Sequence, residues 1–175
     1  IFRGMRGTES FCGLHIPGDR LLAIDEFLIA EKRALDNVGI TDTLKAVSYS
    51  EKFDQVSGNN VVVKADALKP FAPVFIEGTT EGGDVVLTWA RRDRTGGSSF
   101  KPIPMSEAIE EYEIDIIKGG NVLRTVPDLT AKTFTYTEVM RDEDGTANDE
   151  SLTLAVYQIS AIVGRGYAGK ATINV

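Results

Sequence analysis

Five segments of this chain alternate apolar and polar side chains with a period of two, and turn residues fall between them. Val85, Leu87 and Trp89 interleave with Asp84, Val86, Thr88 and Ala90. Tyr112, Ile114 and Ile116 interleave with Glu111, Glu113 and Asp115. Phe134 and Tyr136 stand among Thr133, Thr135 and Thr137. Leu152, Leu154 and Val156 alternate with Ser151, Thr153 and Ala155. Ala171, Ile173 and Val175 alternate with Lys170, Thr172 and Asn174. Successive side chains of a strand point to opposite faces, so each pattern predicts a sheet with one dry face. Gly82-Gly83, Gly96-Gly97, Gly119-Gly120-Asn121, Asp144-Gly145 and Gly164-Arg165-Gly166 supply the turns. With further apolar runs at 72–78 and 122–126, about seven short strands fall in about 100 residues, the count of a two-sheet sandwich. Trp89 reads as the core residue between the sheets. The single Cys12 allows no internal disulfide, so packing must hold such a sandwich.

Ahead of this region the reading is less regular. The sequence Leu68-Lys69-Pro70-Phe71-Ala72-Pro73 carries two prolines that resist helix and cannot both sit in a central strand. It is taken as a seam between a β-rich segment, residues 1–69, and a sandwich domain, residues 70–175. Charge divides there too, with a net −1 before the seam and −6 after it. In the first piece, 21–24, 27–31 and 43–49 are predicted strands. Residues 35–40 read as one helical turn closed by Gly39, and Val61-Val62-Val63 as a last short strand. A piece of about 70 residues is near the lower limit for a core of its own. It is expected to lean on upstream sequence, its neighbour or another subunit. The start at Ile1 rather than Met is read as a piece of something longer. The fold class expected is therefore all-β.

Composition narrows function. Of 175 residues, 26 are acidic and 19 basic, giving a formal charge of −7. A diffuse grip on a nucleic acid backbone wants the opposite sign. One cysteine and one histidine cannot build a thiolate zinc site or any mechanism that needs two imidazoles. No apolar run approaches the roughly 18–20 residues of a membrane-spanning helix. No charged leader with an apolar stretch behind it is visible.

Each chemically suggestive cluster has a structural counterpart reading. Cys12 and His15, three apart, invite a thiol–imidazole nucleophile, but no orienting acid or oxyanion donor set accompanies them. A buried thiol and a backbone-bonded imidazole are expected instead. Glu110, Glu111, Glu113 and Asp115 are an acidic group. Glycoside hydrolysis needs two carboxylates facing each other across a bond. Here Glu111, Glu113 and Asp115 share the outward face of one strand and are expected to be solvated. Asp142-Glu143-Asp144-Gly145 followed by Asn148-Asp149-Glu150 superficially resembles a calcium loop. The twelfth position, which needs a bidentate Glu, is Thr153. A charged loop is the expectation. Arg91-Arg92-Asp93-Arg94 is the strong basic cluster, at a strand end before Thr95-Gly96-Gly97-Ser98-Ser99. It is read as pairing with the carboxylates between Glu107 and Glu113 rather than meeting phosphates. Arg3-Gly4-Met5-Arg6-Gly7-Thr8 and Gly164-Arg165-Gly166 lack the Lys-Ser/Thr ending of a phosphate loop and serve backbone turning. No catalytic, cofactor-binding or metal-binding residue is assigned, and no cofactor is expected. Residues 95–102 and 140–150 are candidate contact segments because they are long, polar and contain glycine.

Two resemblances follow. From Trp89 onward the chain resembles a fibronectin type III domain: an early-strand Trp, the strand at 112–116, a late strand at 152–159 running into the Gly164 turn, and a final strand. Leu152 stands where a Tyr is common, and 156–164 is one residue longer than usual, which is read as a bulge. The longer match is to the C-terminal region of phage and gene transfer agent tail-tip (baseplate hub, host-specificity) proteins. It is carried by Phe2-Arg3-Gly4-Met5-Arg6-Gly7-Thr8-Glu9, His15-Ile16-Pro17-Gly18-Asp19, residues 49–53, and Leu68-Lys69-Pro70-Phe71-Ala72-Pro73-Val74. Further stretches are Leu87-Thr88-Trp89-Ala90-Arg91-Arg92-Asp93-Arg94, residues 107–115, and Val156-Tyr157-Gln158-Ile159-Ser160-Ala161-Ile162-Val163-Gly164-Arg165-Gly166. The resemblance implies a structural virion component at the tail tip, assembled in the bacterial cytoplasm and homotrimeric in its full-length form. Its partners would be other tail or baseplate proteins and a host cell-surface receptor. No catalytic motif of the family maps onto these residues. The rival reading is an accessory fibronectin type III-like module of a secreted bacterial enzyme.

Overall fold

The computed structural model describes residues 13–14, 16–18, 32–94, 104–147 and 151–174. The chain divides into two compact units, one of Leu14–Ala67 and one whose continuous part is Leu68–Val175. In the first, β1 (Thr41–Leu44) and β2 (Asn59–Val62) form an antiparallel hairpin with Thr41 opposite Val62. A 3-10 turn at Leu35–Asn37 leads into Gly39, whose φ of +87° suits glycine and whose N–H donates to Val63 O at 2.8 Å. The expected helical turn is therefore there. The strand expected over 43–49 stops at Leu44. Beyond it Ser48 donates through both its backbone N–H and its hydroxyl to Glu51 (3.2 and 2.8 Å), a local turn that competes with a ladder. The strands expected at 21–24 and 27–31 lie outside the described residues, as do Cys12 and His15.

The second unit is a fibronectin type III-like sandwich. Its strands are β3 (Val74–Glu81), β4 (Asp84–Ala90), β5 (Tyr112–Lys118), β6 (Asn121–Leu129), β7 (Thr133–Tyr136), β8 (Ser151–Ser160), β9 (Gly164–Arg165) and β10 (Gly169–Asn174). One sheet runs β3-β4-β7 and the other β10-β8-β5-β6, every pair antiparallel. That is seven strands in two sheets, with β9 a two-residue addition to β8. The short helix α1 (Glu138–Glu143) bridges β7 and β8; Thr137 caps it, its hydroxyl accepting from Met140 N–H.

The period-two residues meet where the pattern says they should. Val85, Leu87, Trp89 and Tyr136 face Tyr112, Ile114, Ile116, Leu152, Leu154, Val156 and Ile173, all buried. Trp89 and Tyr112 pack edge to face, with ring centroids 5.4 Å apart. One long side of the sandwich is closed by close approach of β3 to β10. A Cβ on Gly78 would lie 2.7 Å from Ile173 Cδ1, and one on Gly169 would overlap Pro73 O. Pro70 and Pro73 are buried at this seam, and Pro70 O accepts from Tyr167 N–H at 3.0 Å.

The other side ends on the edge strand β6, which is longer than the 122–126 run and contains Pro127. An edge strand tolerates a missing donor. The β5–β6 register slips beside Pro127-Asp128, where Asp128 has φ +59°. Two further slips lie between Ile116 and Ile117 in β5 and between Val74 and Glu77 in β3, the latter taking in Phe75 at φ +51°. The bulge expected in 156–164 is not in β8, whose ladder to β5 is regular through Gln158. The irregularity falls on the returning chain between β9 and β10, where Gly166 N–H donates to Gln158 O at 2.9 Å.

Candidate functional site

The end of the sandwich where β4 leaves and β5 begins carries the basic cluster. Arg91 Nε lies 3.4 Å from Glu110 Oε1, and Arg91 also donates to Pro104 O. Asp93, its side chain almost wholly buried, accepts from Ser106 N–H at 2.8 Å. Arg94 Nε donates to Glu107 at 3.2 Å, and Glu107 is buried. Arg92 lies over the Phe71 ring, 5.2 Å from its centroid. Pairing with carboxylates between Glu107 and Glu113 was expected and is what Arg91 and Arg94 do.

Glu110 is the junction of three elements. It accepts from Tyr112 Oη at 2.7 Å, faces Arg91, and lies 3.5 Å from Lys132 Nζ in the β6–β7 turn. Burial works to raise its carboxyl, but the Tyr112 bond and the charges of Lys132 and Arg91 outweigh it and hold it below the usual range. A carboxylate so held stays ionised and makes a poor general acid. Burial, then the Glu110 bond and charge, push the Tyr112 hydroxyl well up. The segment between the clamped ends, including 95–102, lies outside the described residues.

The acidic strand corrects the expectation of a solvated face. Glu113 and Asp115 do point outward from β5, but Asp115 is only 3% exposed. Arg165, delivered by β9, pairs with both Asp115 oxygens at 2.8 and 3.0 Å and contacts Glu113 as well. Thr125 Oγ1 donates to Asp115 at 2.7 Å from the neighbouring strand. The guanidinium lies over the Tyr157 ring at 4.4 Å. Burial, then the Asp115 charge and bond, raise the Tyr157 hydroxyl. One cation covers two carboxylates, which desolvates them without leaving either unpaired.

The stretch 142–150 is another correction. Asp142 and Glu143 lie in α1. Asp144 accepts from Arg124 Nε (2.7 Å) and Nη2 (2.9 Å) and from Tyr136 Oη (2.7 Å), while Glu143 takes Arg124 Nη2 at 2.9 Å. Those oxygens are committed to side chains of this fold. The Arg124 bonds hold the Asp144 carboxyl below its ordinary value. Burial foremost pushes the Tyr136 hydroxyl up to about 12. Tyr136 also bonds Thr146, which is fully buried, and Arg141 is buried with its guanidinium on the carbonyls of Gly83, Thr146 and Ala147. Much of the proposed contact segment 140–150 is thus built into the fold; residues 148–150 are outside the described set. Among the described residues no three His, Cys, Asp or Glu side chains gather as a metal site, and no helix is long and apolar enough to cross a membrane.

Sequence reasoning missed Arg124, Lys132, Tyr136 and Arg165 as clamp residues. A signal existed for Arg124, a charge inside an otherwise apolar strand pattern, and for Arg165, a long cation between two glycines.

No protein-family model matches the chain, and no curated protein matches it. Among solved structures it is similar to the Clostridium perfringens spore cortex lytic enzyme SleM, at 11% identity and TM-score 0.42, over 73% of this chain and 37% of that one. It is similar to an Fn3-like protein from Clostridium thermocellum, at 17% identity and TM-score 0.39, over 61% of this chain and 93% of that one. It is also similar to the central fibronectin-III array of RIM-binding protein, at 13% identity and TM-score 0.38, over 61% and 36%. The chain thus spans little more than a third of the lytic enzyme's length. Likenesses this distant carry no function across.

Proposed function

We propose that this fibronectin type III-like module belongs to a phage-like tail tip, as a non-catalytic structural part that contributes to host attachment. The observation that carries the display role is the use made of the charged groups. Arg91, Arg94 and Arg124 are spent on carboxylates of the connections before β5 and after α1, and Arg165 on Asp115 in the middle of β5, which supports a scaffold that holds its connections still. The stretches between Phe2 and Gly166 that resemble the tail-tip family, and that follow one another in the family's sequence order, support the setting. Contacts to neighbouring tail proteins or a cell surface would be made by connections at the sandwich ends. In the full-length assembly three copies would surround the tail axis.

Gold-labelled antibody against this chain, applied to particles induced from the source strain, tests the reading by electron microscopy. Label at the tail tips is the expected result. Label absent from particles, with the antigen recovered in the medium on a larger hydrolytic polypeptide, overturns it in favour of an enzyme accessory module.

A further inference from the structure

The contacts around residues 91–94 and 104–112 bracket a nine-residue stretch, 95–103, from both sides. On the leading side stand Arg91, Asp93 and Arg94; on the returning side stand Pro104, Ser106, Glu107 and Glu110. They are joined by Asp93 to Ser106 N–H (2.8 Å), Arg94 to Glu107 (3.2 Å), Arg91 to Glu110 (3.4 Å) and Arg91 to Pro104 O. Glu107 is buried in this arrangement and would lose its Arg94 partner, a costly loss for a buried charge, if the ends parted; Asp93, also buried, would keep Arg91 at 3.7 Å but lose the Ser106 N–H. Glu110 then ties the closure to the core through Tyr112, whose ring packs on Trp89.

We propose that these side chains are an insulating clamp: they close the chain before 95 and after 103, so that changes of sequence or length between those points do not reach the sandwich. Closing a loop costs little more as it lengthens, because the entropy of closure grows only with the logarithm of its length. What an insertion threatens is the pairing of the strand ends it hangs from. Two backbone bonds at this end report on that, Trp89 N–H to Lys132 O (3.2 Å) and Ile159 N–H to Glu111 O (2.8 Å). The clamp stands between them and the stretch. The inference does not rest on the tail-tip reading, since it concerns the fold of the isolated chain.

Amide hydrogen exchange at Trp89 and Ile159 tests it in the full chain. Residues 95–103 are replaced by nine, then eighteen, Gly/Ser residues. With the clamp intact, exchange at both amides is expected to stay within about twofold of the parent. With Glu107→Gln or Arg94→Gln added, exchange at Trp89 is expected to rise at least about tenfold in the eighteen-residue variant. Arg94, the more exposed partner, supplies the measurement if the Glu107 variant does not fold. Exchange that climbs with insert length despite an intact clamp overturns the proposal. So does exchange that stays unchanged once the Arg94–Glu107 pair is cut.

Discussion

Replacing Asp144 by Ala removes one carboxylate from three donors at once. Arg124 loses a bidentate partner at 2.7 and 2.9 Å, and Tyr136 Oη loses its 2.7 Å acceptor and keeps only Thr146 at 3.0 Å. A hydrogen bond to a charged group contributes roughly 1.5–3 kcal/mol when buried. The Arg124 side chain is about a quarter exposed and can turn to water or to Glu143, so its share is discounted to about 1 kcal/mol. The Tyr136 hydroxyl is buried, and a half-satisfied buried hydroxyl adds about 1–2 kcal/mol. The total is about 2–3 kcal/mol, or about 10–20 °C in Tm for a unit of this size. Tyr136→Phe, which leaves the Arg124–Asp144 pair in place, should cost about 1 kcal/mol. Urea unfolding followed by the fluorescence of Trp89, the single tryptophan, measures both. The Arg124→Ala/Asp144→Ala cycle should show a coupling of about 1 kcal/mol. A loss under about 0.5 kcal/mol for Asp144→Ala, or no coupling in the cycle, would mean that the knot does not hold the β7–β8 connection and that the reasoning is wrong.

Trp89→Ala should cost about 3–5 kcal/mol, read by circular dichroism during denaturation, because the ring is 5% exposed and packs on Tyr112. Gly169→Ala should destabilise by more than the roughly 1–3 kcal/mol usual for overpacking, because the new methyl meets the Pro73 backbone rather than a movable side chain; the same unfolding curves show it. Stability should be flat from neutral pH to about 10, the ordinary tyrosine value, and then fall up to about pH 12 as the unfolded chain ionises before Tyr136 does. Tyr136→Phe should shrink that alkaline loss, measured as the urea midpoint against pH. In acid the sign reverses: the lowered Asp144 and Glu110 carboxyls contribute stability above their unfolded values, and it is lost as pH falls through their folded ones.

The division between what could be read from residues and what could not is plain in β5. Its apolar set, Tyr112, Ile114 and Ile116, was legible from alternation alone and is buried as that pattern requires. Its polar set was assigned to the right face and the wrong environment. Alternation says which way Asp115 points; it cannot say that β9 will lay Arg165 across it. The same holds for Asp144, at the end of α1, whose partner Arg124 lies 20 positions earlier on β6.

By itself the sequence determined the alternating strands of the sandwich, their inner faces, their turns and thus the two-sheet class, because these depend on side-chain period and on backbone preferences of nearby residues. The tertiary structure alone decided which charges are spent, where the ladder slips and which loop is stitched into the fold. Those outcomes depend on pairs brought together by strand order across long stretches of chain, and no local pattern encodes the distance between them.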